Sequence, residues 1–185
     1  VDSVPSISCS SVSSSAALYS GRMRCACGSD LGRGGYPVSR VAFLLQLATQ
    51  RAEISGLTSA RFINQDVQTQ SLGKNCFDVA FSRFGVMFFD NPVSAFRNIR
   101  GAVKPGGRLG YVCWASRKDN PWIRVPTGAA RPFLDIPPAP PEDSPGQFAM
   151  EREERIIEIL AQSGWSNPII SKFECDHHMG QNVHD

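Results

Sequence analysis

Between residues 76 and 114 the chain reads C-F-D-V-A-F-S-R-F-G-V-M-F-F-D-N-P-V-S-A-F-R-N-I-R-G-A-V-K-P-G-G-R-L-G-Y-V-C-W, and this stretch leaves the rest little freedom. Residues 77–81 are apolar and β-prone, the pattern of a short buried strand. Ser82, Arg83, Phe84 and Gly85 interrupt it where the carboxyl end of such a strand would open onto a crevice. A second apolar burst, residues 86–89, precedes a helix. Asn91 fits its N-cap and Pro92 its first position, where the missing N–H costs nothing. Val93, Phe96, Ile99 and Val103 recur at spacings of three, three and four, one face of a helix over 92–104. Lys104 falls in the last turn, Pro105 stops the helix, and Gly106 and Gly107 allow the chain to reverse. Residues 108–114 give a further strand. Strand, helix and strand in this order make a βαβ unit, with a right-handed crossover and a parallel sheet.

Composition narrows the classes. At 185 residues the chain is one domain by the usual prior. Apolar content of 42% and charged content of 19% are ordinary for a globular chain. A net charge of +2 gives no reason to expect nucleic acid or an anionic membrane as partner. No apolar run approaches the ~20 residues of a membrane span. The six cysteines lack the paired spacing of a zinc site or disulfide framework. Cys25 and Cys27 with His177 and His178 do not form a ligand pattern either, so no metal is expected. Reduced thiols, and no charged-then-apolar leader in the residues present, give a cytoplasmic expectation.

Outside the central stretch the pattern varies. Residues 1–37 divide into a Ser-rich run and a Gly-, Arg- and Cys-rich run, set apart as a poorly matching and disorder-prone segment. Within them G-S-D-L-G-R-G-G at 28–35 is a glycine patch, but R-M-R-C-A-C before it is not a convincing buried strand. Residues 41–43 are expected to end a strand. Leu44, Leu47, Ala48 and Ala52 then share one face of a helix near 44–55 that Gly56 closes. A-R-F-I-N-Q-D-V at 60–67 reads as a strand running into a loop. Residues 136–145 are proline-rich and read as a stiff, extended connector. A good amphipathic helix spans 151–163, with Ile156, Ile157 and Leu160 as its stripe. Residues 169–173 are read as another strand, and 176–185 as a tail. The body of the domain is therefore 38–175. Trp122, Phe133 and Phe148 are candidate pocket linings.

The ordered set F-D-V-A-F-S-R-F-G, helix, K-P-G-G-R-L and apolar strand resembles the fourth and fifth strands of class I S-adenosylmethionine-dependent methyltransferases. The similarity is to the small-molecule branch of the ubiquinone/menaquinone C-methyltransferases, over about 47–173. It implies an α/β, three-layer Rossmann-like fold with a mostly parallel sheet, incomplete at its N-terminal end. It also implies S-adenosyl-L-methionine as cofactor and a small-molecule methyl acceptor. By the same resemblance Asp66 accepts from the adenine amino group and the Val67 N–H donates to a ring nitrogen. Ser82, Arg83 and Phe84 would approach the methionine portion. Asp66 has a plain alternative as a turn residue capping its own loop, and Arg83 one as a solvated surface group. No catalytic residue is assigned.

Two departures set the second reading. The family's strand, acidic residue and G-x-G-x-G loop are not recognisable before Gly35. The carboxylate that would bind the ribose is missing from 40–47. A non-catalytic or truncated methyltransferase-like protein without a competent cofactor site is therefore the alternative. A nicotinamide-dependent Rossmann enzyme ranks last, because no G-x-G-x-x-G follows a strand.

Overall fold

The computed structural model describes the backbone of residues 15–20, 22–27 and 38–44, and residues 45–57, 60–138 and 140–175 with their side chains. The glycine patch at 28–35 and the tail with His177 and His178 lie outside the described residues. Strands β1 (Ser15–Ser20) and β2 (Arg22–Cys27) come first, then helix α1 (Val38–Ile54) and strand β3 (Arg61–Asn64). Strand β4 (Phe77–Arg83), helix α2 (Pro92–Ala102) and strand β5 (Val103–Val112) follow. Helices α3 (Pro121–Ala130) and α4 (Glu153–Gln162) complete the set.

The strands form one sheet in the order β3-β2-β1-β4-β5. β2 pairs parallel with β3, and β4 with β5, while β1 is antiparallel to both β2 and β4. Four strands thus run one way and the central strand runs against them. The β2-α1-β3 and β4-α2-β5 crossovers move outward in opposite directions from β1. Right-handed connections then put α1 and α2 on opposite faces, which gives three layers. The fold is α/β and Rossmann-like, as the central stretch implied.

Local chemistry accounts for the βαβ unit. Asn91 caps α2, its Oδ1 accepting from the Ser94 N–H at 3.0 Å, and Pro92 opens the helix. Ala95, Phe96, Ile99 and Ala102 are buried on the sheet side of α2. They pack with Phe77, Ala80, Val86, Met87 and Val103, and with Ile156, Ile159 and Leu160 of α4. Gly56 closes α1 with φ +69°, as read from the sequence.

Four readings need correction. Residues 41–43 lie inside α1, which begins at Val38, so no strand ends there. Residues 22–27, judged a poor strand, form β2; alternation of Met23, Cys25 and Cys27 with Arg22, Arg24 and Ala26 suits a strand. β5 starts at Val103, because an irregularity lets Phe77 pair with Val103 and Val79 with Arg108, absorbing the K-P-G-G block into the strand. Residues 169–173 pair with no described strand, and Ile169 and Phe173 stand 93% and 84% exposed. Among the described residues their β propensity is not met by a strand partner.

Candidate functional site

The carboxyl ends of β2, β3, β4 and β5 share one edge of the sheet, where ligands bind in open α/β folds. Asp66 and Ser82 therefore belong to one edge, at the ends of β3 and β4. β2 and β1 lie between those strands, a separation of about 14 Å at normal strand spacing. An extended nucleoside carrying an amino-acid arm can bridge it.

After β3 the chain makes a tightly wired turn. Asp66 Oδ1 accepts from the Gln68 N–H at 2.9 Å and Oδ2 accepts from the Thr69 hydroxyl. The Asp66 N–H donates to Gln70 Oε1 at 2.7 Å, and its carbonyl accepts from the Gln70 N–H at 2.9 Å. The carboxylate thus caps its own loop. Each of its oxygens has a second lone pair, so the cap does not exhaust it. Val67 is buried at 1% exposure, and its carbonyl accepts from Asn98 Nδ2 at 2.7 Å.

At the end of β4, Ser82 pairs with Ala16 on one side and Tyr111 on the other. Ser82 is 2% exposed, and its Oγ has no hydrogen-bond partner among the described residues. A buried hydroxyl without a partner costs about 1–3 kcal/mol, a cost that a bound polar group would relieve. Arg83 is exposed. Phe84 adopts φ +54°, a conformation rare for a bulky side chain. Its N–H donates to the Val112 carbonyl at 2.8 Å, and its ring stacks on Trp114 at 4.6 Å. Trp122 lies 4.9 Å from Trp114 and donates to Asn120 Oδ1 at 3.1 Å. Asn120 is itself buried and donates to the Ala115 and Ser116 carbonyls. Of the other candidate aromatics, Phe148 lies under the Arg117 guanidinium at 4.8 Å, and Phe133 is 84% exposed at the end of α3.

Electrostatics here are those of a buried apolar wall. Burial pushes the Cys113 thiol up to about 11, and burial followed by the neighbouring Cys113 pushes the Tyr111 phenol well above its usual range. The folded chain holds both protons more tightly than the unfolded chain. The Cys113 contribution to stability is complete below its ordinary value of 9.0 and is lost as pH rises through about 11. The thiolate is the nucleophile, so iodoacetamide at pH 8 should label Cys113 about a hundredfold more slowly in the folded chain than in urea. Peptide-resolved mass spectrometry reads this directly; equal rates would refute the burial argument.

The two ends of the site fit an adenosyl-methionine ligand: an acceptor-bearing turn after β3, and an unpartnered buried hydroxyl after β4. The middle is different, because no described carboxylate lies at the end of β2. Asp30, three residues beyond it in sequence, is outside the described residues. Among the described residues no group of His, Cys, Asp and Glu is arranged to hold a metal ion. No helix among them is long and apolar enough to cross a membrane.

Residues 22–110, from β2 into β5, match the family model described as a methyltransferase domain. Over those residues, just under half of its length, the chain is similar to that methyltransferase family. The matched region begins at β2, the strand that sequence reasoning undervalued, and includes every candidate cofactor residue. Among solved structures, a candidate S-adenosyl-L-methionine-dependent methyltransferase from Methanococcus maripaludis is similar at 19% identity, covering 68% of this chain and 56% of that one, with TM-score 0.46. A candidate methyltransferase from Bacillus halodurans is similar at 16% identity, with 66% and 48% covered and TM-score 0.45. The cyclase SpnF is similar at 28% identity over 37% and 26%, with TM-score 0.36. The chain spans only 26% to 56% of the lengths of these three proteins. These overlaps are partial, and the likeness to the family rests on residues 22–110. No curated protein matches the chain.

Proposed function

We propose that the chain is an S-adenosylmethionine-dependent methyltransferase that methylates a small molecule by in-line displacement. The observation that carries this reading is the buried, unpartnered Ser82 hydroxyl on the same sheet edge as the Asp66 turn, within a methyltransferase domain. The cofactor, when bound, supplies a methyl group already activated by its sulfonium sulfur. The protein's part is to align donor and acceptor and to exclude water. The Asp66 carboxylate accepts from the adenine amino group and the Val67 N–H donates to the ring. Ser82, Arg83 and Phe84 line the methionine end, and the Phe84–Trp114 stack shields that end from solvent. The acceptor is a small molecule, and free thiols at Cys76, Cys113 and Cys175 agree with a cytoplasmic site of action.

One observation favours the second reading, a methyltransferase-like chain without a competent site. β1, at the centre of the sheet, runs antiparallel to β4, so its carboxyl end at Ser20 lies on the edge away from Asp66 and Ser82. Loss of a ribose carboxylate would remove hydrogen bonds to a charged group of about 1.5–3 kcal/mol each, enough to carry micromolar affinity into the millimolar range. Isothermal titration with S-adenosylhomocysteine separates the two. Saturable one-to-one binding that weakens at least tenfold in Asp66→Ala supports the first reading. No binding up to about 1 mM establishes the second.

A further inference from the structure

The turn after β3 is fastened to α2 at two points seven residues apart. The Asn91 N–H donates to Gln68 Oε1 at 2.8 Å, and two turns further along α2 Asn98 Nδ2 donates to the carbonyls of both Val67 and Gln70, each at 2.7 Å. Both acceptors of the Asn98 side chain are carbonyls, so chemistry fixes which of its terminal atoms is the nitrogen. The peptide unit that carries the Val67 carbonyl also carries the Gln68 N–H, which donates to Asp66 Oδ1 at 2.9 Å. One rigid plane therefore connects the Asn98 amide to the Asp66 carboxylate. The second branch reaches Asp66 as well. Gln70, held through its carbonyl, takes the Asp66 N–H on its side chain and donates its own N–H to the Asp66 carbonyl.

We propose that Asn98 is a positioning residue for base recognition: it holds the 66–70 turn so that the Asp66 carboxylate and the Val67 peptide face an adenine edge. This rests on the reading of Asp66 and Val67 given above. Asn98 acts through the turn and touches no ligand. Its loss frees the two carbonyls from α2, and the Asp66 carboxylate loses its fixed direction while keeping its charge. The expected consequence is a loss of discrimination between bases more than a loss of fold.

The test uses the whole chain and two ligands differing at one group, S-adenosylhomocysteine and S-inosylhomocysteine, in which a carbonyl oxygen replaces the 6-amino group. In the wild type the adenosyl ligand should bind about tenfold more tightly or better, the value of a hydrogen bond to a charged acceptor. In Asn98→Asp, which turns a donor into an acceptor facing two carbonyls, the ratio should fall below about threefold. Asn98→Ala, which removes the donors without repulsion, should do the same. Amide exchange in the ligand-free variants should rise at Gln68 and Gln70 while β4 and β5 stay protected. Retained selectivity in both variants overturns the inference and leaves the Asp66 reading standing. A wild type that binds both ligands equally, or neither, overturns the Asp66 reading and with it the role of Asn98 in base recognition. Unchanged exchange at Gln68 and Gln70 overturns the fastening itself.

Discussion

Replacing Phe96 by alanine should cost about 3–5 kcal/mol, the range for truncating a fully buried aromatic. Phe96 has 0% exposure and lies at the centre of the core between α2, the sheet and α4. Its ring meets Phe89 edge-on at 6.0 Å and Tyr111 at 5.4 Å, so the deletion opens a void lined by aromatic faces. Its carbonyl accepts from Trp165 Nε1 at 3.1 Å, which ties the end of α4 to the same position. Domains of this size have total stabilities of about 5–15 kcal/mol, so one substitution removes a large part of the reserve. Urea unfolding should show the midpoint falling with little change in slope. Phe133→Ala deletes the same side chain at 84% exposure and should change stability by less than about 0.5 kcal/mol. Equal effects of the two would contradict the assignment of the core.

The second large effect is expected at Gly107. A Cβ there would lie 2.5 Å from Val103 Cγ1, 2.6 Å from the Asp78 carbonyl oxygen and 3.0 Å from the Lys104 carbonyl oxygen. Two of these three atoms are backbone, so no rotamer change relieves them. The contact arises where β5 absorbs its extra residues opposite Asp78, and where Lys104 Nζ meets Asp78 Oδ1 at 2.7 Å. Gly107→Ala should therefore force the two strands apart locally, at about 1–3 kcal/mol or more. Gly101 is the control: an alanine Cβ there meets nothing within 4 Å. Thermal unfolding of the two variants should move in opposite directions, since Gly101→Ala reduces the freedom of the unfolded chain. A stable Gly107→Ala would mean that the glycine pair serves the turn alone.

The contrast between Gly107 and Gly101 also bears on what can be read from residues. The pair at 106–107 was legible as a need for backbone freedom, and Gly106 does have φ +78°. That Gly107 is required by the approach of a neighbouring strand was not legible, because it depends on register. α2 was legible in detail, since the Asn91-Pro92 start and the buried stripe are local signals. The same start, Asn120-Pro121, opens α3, but Pro126 and Gly128 within it weaken the local helix signal. β2 was missed for another reason: its alternation was present, but two arginines made it look too polar for the interior of a sheet. Residues 169–173 failed in the opposite sense, since a strand requires a partner that no propensity supplies.

The site divides along similar lines. Asp66 and Ser82 could be placed at strand ends from local pattern and resemblance. Their environments could not: that the carboxylate caps its own turn, and that the serine hydroxyl is buried without a partner, follow from tertiary packing. Asn98 left one faint trace in the sequence, its spacing of seven from Asn91 along α2. Two asparagines on one helical face are an expensive choice unless something polar lies opposite.

The reversed central strand has a consequence for how the molecule comes apart. β1 follows a hairpin path to β2, close in sequence, but reaches β4 only across the long stretch from Ala16 to Ser82. Among the described side chains, the packed cluster gathers around β4, α2, β5 and α4. The β1·β4 ladder is therefore a seam between that cluster's strand pair and a strand that reaches it only through a long loop. A hairpin closes in about 1–10 μs, while joining its far edge to β4 must first meet the entropy of closing the longer loop. Under mild denaturant the β1·β4 ladder should open before the β4-α2-β5 unit, which stays protected against exchange.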